Sequence, residues 1–117
     1  MPHSNAICAT TASSTTTSTC RGAGRPLNRG IKAKTTKLPY EYNPAAGVRN
    51  ETEGMVKVVY EEGTERILGV HVIGAHAEDT IQIAAMAMKG GLKKSEVGAM
   101  HYVFPTFGGA IFDAMAS

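Results

Sequence analysis

Two stretches in the middle of the chain decide its fold. Thr52–Val58 reads Thr-Glu-Gly-Met-Val-Lys-Val, and Arg66–Gly74 reads Arg-Ile-Leu-Gly-Val-His-Val-Ile-Gly. Apolar residues alternate in both stretches, which is the period of a half-buried β-strand. The intervening Glu61–Thr64 contains a glycine that suits a tight turn. The sequence therefore predicts a β-hairpin with strands at Met55–Tyr60 and Arg66–Ile73.

The alternation also assigns one apolar face to each strand. These faces consist of Val56, Val58 and Tyr60 in the first strand, and Leu68, Val70 and Val72 in the second. Lys32–Leu38 is rich in lysine and threonine and predicts an edge strand, because charged side chains protect an exposed sheet edge. Pro39 and then Asn43-Pro44 end this strand. We expect the segment to join the hairpin in one antiparallel sheet.

Three helices are predicted after the hairpin. Ala77–Lys89 is a long helix ended by Gly90-Gly91, and Ser95–Met100 is a short one that begins with a capping serine. Thr106 can cap a final helix over Phe107–Met115. Strands first and helices afterwards predict an α+β domain, an antiparallel β-sheet with helices packed on one face.

The long helix is apolar over an unusually wide arc. At 100° per residue its apolar side chains span roughly 200°, whereas docking on one surface needs a stripe of roughly 100°. We therefore expect a second chain to cover part of the helix. The helix residues predicted at that interface are Ile81, Ala84, Ala85 and Met88. The residues left for solvent are Glu78, Asp79, Gln82 and Lys89.

Charge and composition exclude several classes of function. Up to Asn50, seven Lys/Arg oppose one Glu, a net +6, whereas from Glu51 five Lys/Arg oppose nine Asp/Glu, a net −4. A chain divided in this way is not a uniformly basic nucleic-acid binder, and no aromatic residue before Tyr40 could stack on bases. No run of about 18 apolar residues predicts a membrane span. We expect neither nucleic acid nor a membrane as partner.

The front of the chain differs from the rest. Ala9–Thr19 is almost entirely Thr, Ser and Ala, which offers little surface to bury. We expect residues 1–30 to be a disordered Ser/Thr/Arg-rich leader and residues 31–117 to form the domain. The lack of acidic residues before Glu41 is typical of an organelle transit peptide, but the first arginine comes only at position 21. We expect a cytoplasmic location, with an organelle as the alternative.

Metal and cofactor signals are weak. His71 and His76 lie near Glu78, but a zinc site needs further convergent ligands. Cys8 and Cys20 have neither zinc-site nor redox-pair spacing. Glycines 22 and 24 lack the third glycine, the strand and the helix of a dinucleotide-binding turn. We expect this chain alone to bind no metal, FAD or NAD.

With Phe104-Pro105-Thr106, the two central stretches resemble the C-terminal dimerisation domain of the pyridine nucleotide-disulfide oxidoreductases. These are the class I flavoprotein disulfide reductases, among them dihydrolipoamide dehydrogenase and mercuric reductase. Their last motif reads His-Pro-Thr-x-x-Glu, and the histidine acts as acid and base toward the redox thiol in the partner subunit. Here Phe104 and Gly109 occupy the histidine and glutamate positions. Neither side chain has a titrating proton, so the resemblance implies a domain without the family's catalytic pair.

This resemblance implies a homodimerisation domain, present as a fragment lacking the FAD and NAD domains. FAD and NAD(P) would belong to a full-length parent, and the partner would be a second copy or the parent's FAD/NAD domains. The motif places Phe104, Pro105 and Thr106 at the interface. Tyrosines are enriched at interfaces, and three are expected there: Tyr40, Tyr42 and Tyr102. The alternatives are a stand-alone dimeric binding module and a small enzyme that uses His101.

Overall fold

The structure, a computed structural model, describes residues 6–10 and 32–117. Its four-stranded antiparallel sheet has the order β1-β4-β3-β2. The strands are β1 (Ala6–Thr10), β2 (Ala33–Pro39), β3 (Gly54–Glu61) and β4 (Ile67–Gly74). The helices are α1 (Pro44–Arg49), α2 (Ala77–Lys89), α3 (Lys94–Gly98) and α4 (Gly109–Ala116), with a 3₁₀ turn at Tyr40–Tyr42.

The predicted hairpin is confirmed as β3 and β4. Val56 lies opposite Val72, and Val58 lies opposite Val70. Directly opposed residues project from the same side of a sheet. All four valines are buried, so they form an apolar ladder across the two strands.

A bulge changes the predicted face of β4 at one position. Val59 pairs with Gly69, but Tyr60 pairs with Ile67, so Leu68 is an extra residue on β4. An inserted residue shifts the alternation of inward and outward side chains. Ile67 is therefore buried in the core, while Leu68 is only half-buried. The prediction that Leu68 lies on the buried face is wrong for this reason.

The Lys/Thr-rich segment is confirmed as an edge strand, since β2 pairs with β3 at one end of the strand order. The leader prediction fails at Ala6–Thr10, which pairs antiparallel with β4. The edge of β4 offers backbone donors and acceptors that a further strand can satisfy, and Ala6–Ala9 is apolar enough to pair there. The sheet thus extends beyond the expected domain boundary. The other residues of the leader, including Cys20, lie outside the described residues.

The helices pack on the face of the sheet that carries the valine ladder, which confirms the α+β architecture. α2 lies against β1 and β4, and α4 lies against β2 and β3. The inward residues predicted for the last helix, Ala110, Ile111 and Ala114, are buried. In the part of the chain that the structure describes, no helix is long and apolar enough to cross a membrane.

Two helix starts differ from the prediction. α3 begins at Lys94 with Lys93 at its N-cap, not Ser95. The Lys93 backbone N–H donates to Glu96 Oε2 at 2.7 Å, and this bond holds the N-cap two residues before the predicted capping serine. α4 begins at Gly109 and not at Phe107.

The end of β4 gives a first prediction. Gly74 has φ 131°, and a Cβ there would lie 2.7 Å from Tyr40 Cε2 and 2.8 Å from Glu53 O. Gly74→Ala should therefore lower the free energy of unfolding by about 1–3 kcal/mol, measured by urea denaturation. The control is Gly47→Ala in α1, where a Cβ would meet nothing within 4 Å. Gly47→Ala should leave the free energy of unfolding unchanged or raise it by up to about 1 kcal/mol. Equal effects of the two substitutions would contradict this account.

Candidate interface around the Phe104 loop

The Phe104 loop, defined as Val103–Thr106, is held by local hydrogen bonds. The Thr106 hydroxyl donates to the Val103 carbonyl at 2.8 Å and accepts the Gly109 N–H at 3.1 Å. The second bond satisfies one of the unpaired amides at the start of α4, although the N-cap of this helix is Gly108 and not the predicted Thr106. The peptide bond between Phe104 and Pro105 is cis.

Asn43 joins this loop to α1. Its Oδ1 accepts the Ala46 N–H at 3.2 Å, and its Nδ2 donates to the Thr106 carbonyl at 3.1 Å. α1 was not among the predicted helices, although Asn43-Pro44 carries its signal, an N-cap asparagine before a proline in the first turn. One buried amide thus fixes a helix and the loop relative to each other.

The tip of the loop is apolar and exposed. Val103 is 76% exposed and Phe104 is 66% exposed, and Val48 on neighbouring α1 is 85% exposed. Covering an aliphatic or aromatic side chain completely is worth about 1.5–3 kcal/mol. The predicted interface position of Phe104 is therefore accessible to a partner, as is that of Pro105.

A groove of about 720 Å³, here called the α1–α2 groove, lies beside the loop. Its apolar lining includes Ile83, Phe107 and Phe112, and its charged lining includes Arg49 and Asp79. Both charged residues are exposed. The groove is thus an apolar recess with one cation and one anion in its lining.

Aromatic contacts order one end of the groove. The His76 ring packs on Phe107 with centroids 4.6 Å apart, and the Arg49 guanidinium lies 5.7 Å from the centre of the same ring. Arg49 Nη1 is 3.4 Å from His76 Nε2. Cations gain electrostatic attraction over an aromatic face, so Phe107 helps to hold Arg49 at the groove.

The structure corrects the helix part of the expected interface. Ile81 and Ala84 are buried in the chain's own core, whereas Ala85 and Met88 are half-buried. Met86 is 76% exposed. α2 lies against β1, β4 and α4. Ile81 and Ala84 therefore have almost no surface left for a partner.

The three tyrosines expected at the interface differ in their burial. Tyr40 is buried, and its hydroxyl donates to the Ala75 carbonyl at 3.1 Å. Burial raises the pKa of Tyr40, which fits a core residue and not an interface residue. Tyr42 is exposed, and Tyr102 is half-buried in the groove lining.

Tyr102 occupies the space next to the position where the family carries its glutamate. Its hydroxyl donates to Asp113 Oδ1 at 2.8 Å, and its ring stacks on Phe112 with centroids 4.8 Å apart. A Cβ at Gly109 would lie 2.8 Å from Tyr102 Cε2, so glycine is what allows the ring to lie there. The hydrogen bond to Asp113 raises the pKa of Tyr102. Tyr102 therefore keeps its proton at neutral pH and cannot replace the missing base.

The remaining histidines form no site among the described residues. His101 is exposed and has no hydrogen bond or ion pair within residues 32–117, so no positioned partner supports its use as a base. Burial, followed by the charge of Lys57, lowers the pKa of His71. No group of three His, Cys, Asp or Glu in the described part of the chain could hold a metal ion.

Comparison with known proteins agrees with this architecture. The family model of the pyridine nucleotide-disulphide oxidoreductase dimerisation domain matches residues 27–115. The chain belongs to this family. Similar curated proteins include the mitochondrial dihydrolipoyl dehydrogenases of Sus scrofa and Caenorhabditis elegans, 34% and 36% identical over 85 residues. Each alignment covers 73% of this chain but 17% of the relative.

Solved structures show the same relationship. LpdA from Mycobacterium tuberculosis matches with a TM-score of 0.69, and RclA, an HOCl-induced flavoprotein disulfide reductase from Escherichia coli, matches with 0.70. Both are 26% identical and are matched over 74% of this chain, which is 19% and 20% of their own lengths. The resemblance stated from the sequence motifs is thus confirmed, and the chain spans about a fifth of these relatives.

The packing of Tyr102 over Gly109 predicts a coupled effect. Gly109→Ala should lower the free energy of unfolding by about 1–3 kcal/mol, because its methyl group overlaps the ring. In a Tyr102→Ala background, Gly109→Ala should lower the free energy of unfolding much less. Urea unfolding of the parent chain, the two single variants and the double variant forms a double-mutant cycle. If Gly109→Ala lowers the free energy of unfolding equally in both backgrounds, the overlap is contradicted. Phe104→His, at an exposed position, is the control and should stay within about 0.5 kcal/mol of the parent chain.

The bond between Tyr102 and Asp113 predicts a pH effect. Asp113→Asn should lower the pKa of Tyr102 toward the ordinary value of about 10, as measured by NMR titration of the tyrosine ring carbons. Because the pKa is raised in the folded state, the bond stabilises the fold fully below the unfolded value of about 10. This stabilisation is lost as the pH rises through the folded pKa. The stability difference between the two proteins should therefore shrink at high pH, and an unchanged Tyr102 pKa would refute the assignment.

Proposed function

We propose that this chain acts as the homodimerisation domain of an FAD-dependent pyridine nucleotide-disulfide oxidoreductase. We further propose that it is a fragment without the FAD- and NAD-binding domains. The observation that carries the proposal is the exposed apolar Phe104 loop, held in place on a domain of this dimerisation family. Contiguous exposed apolar side chains are typical of a protein contact surface.

The fragment proposal is supported by length. The alignments to the curated dihydrolipoyl dehydrogenases above cover 17% of those proteins. In this reading, the catalytic and cofactor-binding parts of the parent lie outside the 117 residues. The mitochondrial names of the relatives favour the organelle alternative over the cytoplasm for that parent.

The role is structural and not catalytic for the chain alone. Phe104 and Gly109 occupy the motif positions that would carry an acid–base pair. The nearest phenol, Tyr102, is bound to Asp113 and has a raised pKa. A general base must be able to accept a proton near the working pH, and none of these three residues meets this condition.

We assign FAD and NAD(P) to the parent, because the residues that the structure describes do not fit either group. A dinucleotide pyrophosphate needs a glycine-rich turn between a strand and a helix. The corresponding turn between β4 and α2 holds one glycine, Gly74, and places His76 at the N-cap of the helix. A Cβ at Gly74 would meet Tyr40, so that glycine serves packing within the domain.

Light scattering on the purified chain tests the proposal. The expected mass is twice the 12.3 kDa of one chain, and the preparation should show no flavin absorption band, since the chromophore belongs to the cofactor. A chain that remains a monomer at the highest concentration reached would refute the dimerisation role. A stoichiometric yellow chromophore would refute the assignment of FAD to missing domains.

A further inference from the structure

His76 lies where three parts of the structure meet. It precedes α2, its ring packs on Phe107 with centroids 4.6 Å apart, and its Nε2 lies beside two residues at and just after the end of α1. These are Arg49, whose Nη1 is 3.4 Å away, and Glu51, whose Oε2 is 3.8 Å away. The side chain of His76 is 40% exposed, so it can exchange protons with the solvent. One nitrogen atom thus faces a cation and an anion at once.

The backbone of His76 also shows that its ring is held in place. The residue has φ 58° and ψ 27°, which is the left-handed region. This conformation costs a residue other than glycine roughly 1–2 kcal/mol, and it persists where the surrounding contacts over-determine it. The side chain makes no cap bond to α2 and lies instead against Phe107 and the end of α1. The ring is therefore fixed beside both charged groups.

The two charged groups require different protonation of Nε2. A guanidinium only donates hydrogen bonds, so Arg49 needs a lone pair on Nε2, which the neutral ring offers when its proton is on Nδ1. A carboxylate only accepts, so Glu51 needs a proton on Nε2. When both ring nitrogens are protonated, the ring repels the guanidinium and attracts the carboxylate. Protonation of His76 therefore exchanges one contact for the other.

The other charged groups near the ring act in the same direction as Glu51. Glu78 and Asp79 occupy the first turn of α2, and Asp79 also lines the α1–α2 groove. Tyr40, on the 3₁₀ turn, donates its hydroxyl proton to a backbone carbonyl and carries no charge. Among the described residues that line the groove, Arg49 is the only Lys or Arg. Arg49 is therefore the group there that opposes a positive charge on His76.

We propose that His76 is a pH-controlled switch for the position of Arg49. With a neutral ring, Nε2 accepts a hydrogen bond from Arg49 and holds the guanidinium near Phe107 at one end of the groove. With a protonated ring, Nε2–H donates to Glu51, and Arg49 is released into the groove. Histidine ordinarily changes charge between about pH 5 and 8, so the position of Arg49 should respond in this range. The inference concerns a single chain and does not depend on the proposed homodimerisation.

Nuclear magnetic resonance of the unmodified, isotope-labelled chain provides the first test. At about pH 8, the ring of His76 should carry its proton on Nδ1, because Nε2 accepts from Arg49. As the pH is lowered to about 5, the Arg49 Nε and Glu51 carboxyl resonances should move with the same midpoint as the ring. A proton on Nε2 at the upper pH, or an Arg49 resonance that stays unchanged over the whole range, would refute the switch.

Two asparagine substitutions separate the switch from general effects of pH. His76→Asn introduces an uncharged side chain that also tolerates a left-handed backbone, so the Arg49 response should disappear. His101→Asn is the matched control, since it removes an exposed histidine that does not line the groove, and the response should persist. A response that survives His76→Asn, or that is also lost in His101→Asn, would assign the effect to another group and overturn the proposal.

The fold of both variants is checked by their amide spectra. The tautomer of His76 is measured on the unmodified chain, so the proposal remains falsifiable even if His76→Asn does not fold. A monomeric chain in light scattering would refute the homodimerisation role and leave the switch standing. A dimer with an unresponsive Arg49 would do the opposite.

Discussion

The fold depends on the burial of one apolar ladder. Val56 and Val58 on β3 face Val72 and Val70 on β4, and the ladder is covered by α2 and α4. Since apolar burial is the main favourable term in folding, this contact fixes both helices on the same side of the sheet. The start of α4 then sets the position of the Phe104 loop. The candidate interface is therefore a consequence of core packing.

Much of this architecture could be predicted because its signals are local. The two-residue period identified the hairpin, and the apolar arc followed by two glycines gave the bounds Ala77–Lys89 that the structure has. The predictions that failed concerned pairing between distant parts of the sequence, or residues that carry two competing signals. No composition rule for residues 1–30 could reveal that β4 has an edge available for Ala6–Thr10. At Asn43-Pro44, the proline was interpreted as the end of a strand, although it also begins α1.

In the candidate site, too, the local features could be predicted and the non-local ones could not. The motif alone located Phe104 and Gly109, because their positions follow from spacing within one short segment. The groove could not be predicted, since Arg49 and Asp79 lie 30 positions apart and line one groove only when α1 and α2 lie beside the same loop. The prediction that Ile81 and Ala84 lie at the interface was wrong for a related reason. Periodicity shows which residues share a face, but it does not show how many neighbours cover that face.

The packing of Tyr102 over Gly109 also constrains how this sequence can change over time. The ring and any side chain at position 109 compete for one volume, so the two sites are epistatic. A lineage that acquired glutamate at 109 before shrinking the tyrosine would pass through a poorly packed intermediate, whereas the reverse order avoids it. Directed evolution toward a proton-transferring version of this domain should therefore randomise both codons in the same library.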